Sequence, residues 1–477
     1  MSNSLVKLVF KDANDTIFDK VNVGSFLKDK TGNLWIGTEG EGLIQFNTYQ
    51  EKFTTLKLKL KGYSETNKIS SFQYLKANDS TLFIGASSDM VKYNLNTKRF
   101  KEYRIKNKPL IYTIVKDENE TIWAGGFTSG LLKYNSTKDE FLEIQSTVSP
   151  LSDRDVIQIT PINKNELLIA TWSGGLFKYE INKNTFSPYL LNDTIINRAR
   201  CSLKDANNHI WLGTDSGVYE ITPDQNITHY NENDGDLSLS SNRIFDIKED
   251  KEGHIWFATS VGLTKLNKVE KKTFVYTKQK GLPNDFIYSL LIDENNQLWV
   301  STNFGLSVFN PKVETFKNYT KNDGLQNNEF NGKAGYKDHL GTFYFGDIDG
   351  VNIFNPNTII ENPHLPKVYI ENVHLFNKPL NQNELFKNKL SFKSNENVVT
   401  FNYSAISFIN SEKVNYSYIL EGFDDDWRSV TKERATNTNL DPGNYKFQVK
   451  ATNEAGVWSN HMAKLDIKII PPWYKTT

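Results

Sequence analysis

One short motif recurs along this chain and restricts its fold more than any other feature. An aliphatic residue is followed by an aromatic, an apolar residue and a small one. It reads Leu34-Trp35-Ile36-Gly37-Thr38, Ile122-Trp123-Ala124-Gly125, Ile210-Trp211-Leu212-Gly213-Thr214, Ile255-Trp256-Phe257-Ala258-Thr259 and Leu298-Trp299-Val300-Ser301-Thr302. Weaker copies are Leu82-Phe83-Ile84-Gly85, Leu167-Leu168-Ile169-Ala170-Thr171 and Phe343-Tyr344-Phe345-Gly346. Eight copies span 309 residues from Trp35 to Tyr344, roughly 44 per repeat, the spacing of β-propeller blades.

Two features travel with the motif. An aspartate lies six residues before the aromatic in six copies: Asp29, Asp117, Asp205, Asp250, Asp293 and Asp338. A Gly-apolar pair follows it, as in Gly130-Leu131, Gly217-Val218, Gly262-Leu263 and Gly305-Leu306. Each repeat reads as four short strands joined by polar turns. The aspartate is expected to accept backbone N–H groups in the first turn, and the glycine to supply a positive φ or a close approach in the second. The tryptophan is expected to pack between sheets, where a large flat ring buries the most area. One such sheet cannot cover its own faces, so the copies must close radially. The eighth copy has no fourth strand of its own after Phe354-Asn355-Pro356, and Leu5–Phe10 is expected to supply it. The reading is a propeller of about eight repeats over 1–358; its alternative is seven blades and one orphan repeat.

Composition narrows the function. The 56 basic and 56 acidic residues balance, which argues against nucleic-acid contact by this region. A single cysteine, Cys201, excludes an intramolecular disulfide and a cysteine-cluster zinc site. No run of about 18 apolar residues exists to span a membrane. The opening Met1-Ser-Asn-Ser-Leu-Val-Lys7 lacks a signal-peptide core, so a place outside the cytosol implies a processed or partial chain. The repeats stop near residue 356. Residues 359–472 hold about seven alternating segments with turn signals between them, the pattern of an immunoglobulin-like β-sandwich. The whole is all-β.

The C-terminal region carries Tyr416-Ser-Tyr418-Ile-Leu-Glu-Gly-Phe-Asp-Asp-Asp-Trp427, then Leu440-Asp-Pro-Gly-Asn-Tyr445, then Asn453-Glu-Ala-Gly-Val-Trp458-Ser459. These segments resemble the three-tyrosine domain, and the repeats resemble the two-component regulator propeller. The ordered pair is similar to the extracytoplasmic sensor region of bacterial hybrid two-component systems that control polysaccharide utilisation, over nearly the whole chain. The resemblance implies a periplasmic location and an oligosaccharide ligand. It implies a homodimer through the sandwich and signalling to a histidine kinase. It also implies membrane contact only through a helix that would follow 473–477, the end of Ile469-Ile-Pro-Pro-Trp-Tyr-Lys-Thr-Thr477. Two departures matter. Family members commonly carry two tandem propellers, and this chain has material for one. The kinase, receiver and DNA-binding regions are absent, so this chain alone is expected to be neither an enzyme nor a complete signalling protein.

No Walker A, Gly-x-Ser-x-Gly, His-Glu-x-x-His or Cys-x-x-Cys pattern occurs, and no cofactor or metal is expected. His209 and His254 hold turn positions taken elsewhere by Asn33, Thr121 and Gln297. The repeated aspartates read as turn caps rather than a calcium array. Propeller geometry brings the loops before each first strand to the same face as the loops between second and third strands. The first set carries Arg154, Arg198, Arg200, Asn242, Arg243, Asn284, Phe286, Asn328 and Glu329; the second carries Phe127, Trp172, Asn303 and Phe304. These are the expected ligand-binding residues: aromatics to stack sugar faces, amides and arginines to meet hydroxyl or acidic groups. Asn242, Asn284 and Asn328 read equally as turn caps. The three tyrosines, Tyr416, Tyr418 and Tyr445, read as packing. The functional alternatives are a propeller lyase or glycosidase, and a protein-interaction scaffold.

Overall fold

The computed structural model describes residues 10–11, 17–18, 22–40, 42–47, 49, 52–57, 70–87, 90–106, 109–146, 151–191, 194–348, 350–380, 389–430, 433–437 and 439–472. It divides into two compact units, 52–359 and 1–51 with 360–477.

The first unit is a seven-bladed propeller. Its innermost strands are Ser71–Asn78, Ile111–Lys116, Val156–Asn163, Cys201–Lys204, Ile244–Glu249, Ile287–Ile292 and Phe330–Lys337. Each touches the next, and the last touches the first, so the ring is closed. We number the blades I to VII in that order. Blades I to VI are four-stranded antiparallel sheets built from consecutive strands. Blade VII has three consecutive strands and takes its fourth from Thr54–Leu56, which pairs with Gly350–Phe354 through Val351 and Leu56, Asn352 and Thr55, and Ile353 and Thr54. Phe53 anchors that strand against Tyr319 and Phe354, with ring centroids 5.3 and 4.9 Å away.

This corrects the expected closure. The closing strand is Thr54–Leu56, not Leu5–Phe10. Among the described residues Phe10–Lys11 pairs with Ile17–Phe18, and Leu5–Val9 lies outside them. The propeller begins at Lys52, not at residue 1. The first repeat is therefore the orphan. It keeps three strands, Val23–Lys28, Leu34–Thr38 and Leu43–Phe46, and gives what would be its fourth to blade VII. Its sheet belongs to the second unit, where Trp35 meets Phe408 edge-on at 5.2 Å.

The six-residue spacing between aspartate and aromatic has a direct cause. In blade VI, Asp293 Oδ1 accepts the backbone N–H groups of Asn295 and Gln297, at 2.8 and 2.9 Å. Its Oδ2 accepts the indole N–H of Trp299 at 3.1 Å. The same clamp joins Asp117 to Trp123 at 2.8 Å, Asp205 to Trp211 at 3.0 Å and Asp250 to Trp256 at 2.7 Å. One buried carboxylate thus closes the turn and orients the ring. Each ring then packs on the following blade: Trp123 on Tyr179, Trp211 on Phe257, Trp256 on Phe309 and Trp299 on Phe343. Blades I and III have no tryptophan at this position. Their turns are capped by Asn78 and Asn163, each accepting one backbone N–H two residues on.

The second hairpin is also repeated. Thr171, Thr214, Thr259 and Thr302 each donate a hydroxyl to the carbonyl of the glycine that follows, at 2.9 to 3.0 Å. Gly217 and Gly305 show why glycine is needed there. Both have positive φ, 110° and 92°, and a Cβ on either would lie 2.2 Å from the carbonyl of Tyr230 or Tyr319.

In the second unit, residues 368–470 form a sandwich of nine strands in sheets of four and five. Phe401 from one sheet stacks on Phe447 from the other at 3.9 Å. The tyrosines pack as expected. Tyr416, Tyr418 and Tyr445 are buried. Tyr416 donates to Glu433, and Tyr445 bonds back to the Asp441 carbonyl at 2.8 Å, as in a tyrosine corner.

Asp293→Ala should leave two turn N–H groups and a buried indole N–H without their acceptor. We expect a loss of roughly 2–4 kcal/mol of propeller stability, read as a lowered urea midpoint with the fold retained. An unchanged midpoint would show that the clamp is dispensable.

Candidate functional site

The innermost strand of blades I, II, III, V and VI carries a one-residue bulge near its start, for example between Ile111 and Thr113 and between Ile244 and Asp246. The residue eleven before the repeat aromatic falls at this place in every blade: Phe72, Tyr112, Ile157, Arg200, Phe245, Tyr288 and Lys333. These seven side chains, one per blade, meet at one end of the central channel. Blade VII departs from the rule, because its shift runs from Phe330 to Gly335. The longer excursion carries Gly332 to 3.6 Å from the Tyr112 hydroxyl, measured from an ideal Cβ, and sends Lys333 across the ring. Lys333 Nζ donates to the Ile157 carbonyl at 2.8 Å and to Gln158, and lies 5.1 Å from the Tyr112 ring centroid. Burial is the main cause of a lowered ammonium pKa, about 7 for Lys333, against the opposing charge of Asp246. Cys201 is buried beside this ring, and burial pushes its thiol up to about 12.

Above the ring sits a compact charged group. Asp215 takes a bidentate pair from Arg200, with Nε at 2.6 Å and a terminal nitrogen at 2.9 Å. Arg198 and Arg243 approach the same carboxylate at 3.4 and 3.6 Å. The three guanidinium groups hold Asp215 below the usual carboxylate range, although burial alone would raise it. Aromatic faces fix the arginines. Arg198 and Arg200 lie over Trp172 at 4.8 and 5.1 Å, and Arg243 over Phe245 at 5.3 Å. Trp172 continues to Phe127 at 5.4 Å, and Phe245 to Phe286 at 4.8 Å. Arg198 also has a left-handed backbone, φ 54°, a conformation costly for a long side chain.

The structure therefore brings together Phe127, Trp172, Arg198, Arg200, Arg243 and Phe286. Asn303 joins them loosely, accepting from the Tyr288 hydroxyl at 3.4 Å. The remaining expected residues lie elsewhere or are occupied. Arg154 turns to the rim, pairing with Glu143 on the outermost strand of blade II and donating to the Thr128 carbonyl. Asn242 and Asn328 cap turns, accepting from Glu232 and Lys321 at 2.8 and 2.7 Å. Their carbonyls also accept from Gly217 and Gly305 of the preceding blade. The residue equivalent to them in blade VI is Asp285, not Asn284, which accepts from the Phe286 N–H. Phe304 and Glu329 are exposed. Sequence reasoning missed Phe72, Tyr112, Phe245, Tyr288 and Lys333. The signal that finds them is the constant offset of eleven from the aromatic.

Two other places gather polar groups. A shallow cleft of about 610 Å³ in the sandwich is lined by Asn415, Arg434 and Trp458 among others, with a single charged side chain. Asp250, Glu252 and His254 come within metal-binding distance of one another. Asp250 there is already engaged by two backbone N–H groups, the Trp256 indole and the His254 ring, so the cluster is a turn.

Comparison with known proteins agrees with this architecture. Residues 16–40, 238–260 and 281–304 match the Two component regulator propeller family, and residues 407–469 match the Y_Y_Y domain. The chain thus joins the repeat and the domain that its sequence resembles, in that order. It is similar to a protein described as Histidine kinase P4 from Formosa agariphila, with 26% identity over 94% of this chain and 31% of that protein. The chain spans less than a third of that relative. In fold it resembles the extracellular domain of a hybrid two component system from B. thetaiotaomicron, with a TM-score of 0.74, 22% identity, and coverage of 97% of this chain and 70% of that one. A second such domain from the same organism matches with a TM-score of 0.55, 18% identity, and coverage of 99% and 66%.

Because the folded pKa of Lys333 lies below its ordinary value of about 10.5, the unfolded chain holds a proton there that the folded chain lacks between about pH 7 and 10.5. Stability from this site should rise with pH across that window and stay flat below it. Lys333→Met should raise stability at pH 7 by roughly 1–4 kcal/mol and flatten the dependence, measured by urea unfolding at pH 7 and 9.5. A variant that keeps the wild-type slope would show that Lys333 does not titrate there.

Proposed function

We propose that this chain is the ligand-binding sensor region of a membrane-bound two-component regulator. Its ligand is an oligosaccharide released from a polysaccharide, bound at the propeller mouth around Arg198, Arg200, Arg243 and Asp215. The observation that carries this reading is the gathering of three arginines and four aromatic rings from different blades at one end of the channel. Buried aromatic walls with a few fixed polar groups are what orient a small polar ligand. The likeness to a histidine kinase and to extracellular domains of two-component systems supports a periplasmic place of action. It also supports a downstream kinase as the output, with the sandwich and its dimerisation as the route of the signal. A ligand drives such a system only through its different affinity for the two signalling states.

Titration calorimetry with defined oligosaccharides, followed by chromatography of the mixture, tests the reading. Saturable binding without cleavage is expected, weakened about tenfold or more by Trp172→Ala. Cleavage would move the chain to the lyase or glycosidase alternative. No binding across a broad panel would favour a protein-interaction scaffold.

A further inference from the structure

We infer that the ligand of the propeller mouth is an anionic saccharide, whose carboxylate or sulfate ester seats between Arg198 and Arg243. This inference rests on the sensor reading above and narrows it.

Three guanidinium groups share the single Asp215 carboxylate. Arg200 uses Asp215 fully, through two short bonds, and its side chain is only 8% exposed. It holds Asp215 in place and has little surface to offer a ligand. Arg198 and Arg243 differ. Their side chains are 50% and 51% exposed, and their approaches to Asp215 are long. A guanidinium carries five N–H donors, so most donors on both remain available to a ligand. Both planes are held from below by Trp172 and Phe245, which reduces the rotamer freedom lost when an oxyanion binds. Asp215 spaces the two arginines while cancelling only one of the three charges.

The aromatics point the same way. Trp172 would be the natural platform for a neutral sugar, but arginines already cover it. Its role is to hold cations. A neutral saccharide would then meet a surface of unpaired positive charge, while an acidic one meets donors set for a bidentate contact. The half-buried Phe286, packed on Phe245 at 4.8 Å, offers apolar surface for the sugar ring beside the anion.

The test compares matched pairs by calorimetry: oligogalacturonate against its carboxyl-reduced neutral form, and a sulfated galactan oligosaccharide against its desulfated form. Free glucuronate and inorganic sulfate serve as small-anion probes. The expected result is at least tenfold tighter binding of one anionic member than of its neutral counterpart. That affinity should weaken with added salt and fall about tenfold or more in Arg198→Gln and in Arg243→Gln. Which pair responds tells a uronate from a sulfate ester. Both arginines are exposed, and near-ultraviolet circular dichroism checks that the variants fold. Equal binding of neutral and anionic members, sensitive to Trp172→Ala but not to the arginine variants, would overturn the anionic inference and leave the oligosaccharide reading standing. Inorganic sulfate binding as tightly as the sulfated oligosaccharide would reduce the mouth to a simple anion site and overturn the saccharide part. Binding by no member of either pair would overturn both.

Discussion

One carboxylate in each of five blades organises this propeller. In the clamped blades an aspartate accepts two backbone N–H groups from its own hairpin turn and the indole N–H of the tryptophan six residues on. Turn geometry and ring orientation are thereby set together by contacts within one hairpin. The ring can then bury its face against the next blade without stranding its polar nitrogen. Where the tryptophan is missing, in blades I and III, aliphatic and phenylalanine packing replaces it and asparagine takes over the turn. In blade VII the pattern survives with Tyr344, whose hydroxyl reaches Asp338 at 3.3 Å, while Lys76 of blade I reaches the same carboxylate at 2.8 Å. There the clamp also ties the last blade to the first.

Closure explains how eight repeats make seven blades. A propeller closed by one continuous blade would have to hold its two ends together by side-chain packing alone. Here the strand Thr54–Leu56, from the start of the propeller, completes the sheet at its end. The cost is that the first repeat loses its fourth strand. Its remaining three strands keep the bulge, the aspartate clamp and the tryptophan, with Asp29 accepting from Trp35 at 2.9 Å. They do so outside the ring.

The binding-site candidate follows from the same repeat in a different way. In five of the seven blades a one-residue bulge near the start of the innermost strand sets the facing of the side chain there. The repeat leaves that position free to vary, because it contributes nothing to the clamp or the hairpin. Arg200, Phe245 and Tyr288 share it with Ile157 and Lys333. The channel is thus closed by non-repeated side chains on a repeated frame, and the arginines outside it rest on that floor.

The sequence by itself determined the repeat, its four-strand unit, the turn role of the aspartates, the glycine hairpins and the sandwich with its buried tyrosines. Those depend on contacts a few residues apart, and a fixed offset records each of them. Arg198 and Arg243 were also legible, because both lie thirteen residues before the repeat tryptophan, where the other repeats carry no basic residue, whereas Arg200 shares its position with Lys333. Only the tertiary structure decided which strand closes the ring, since Leu5–Phe10 and Thr54–Leu56 both read as strands. It alone paired Arg154 with Glu143 at the rim, made Asp285 the counterpart of Asn242 and Asn328, and drew three arginines onto Asp215. Those outcomes depend on bulges and on which blades become neighbours. A one-residue slip in a strand reverses the facing of every side chain, and no local spacing encodes it.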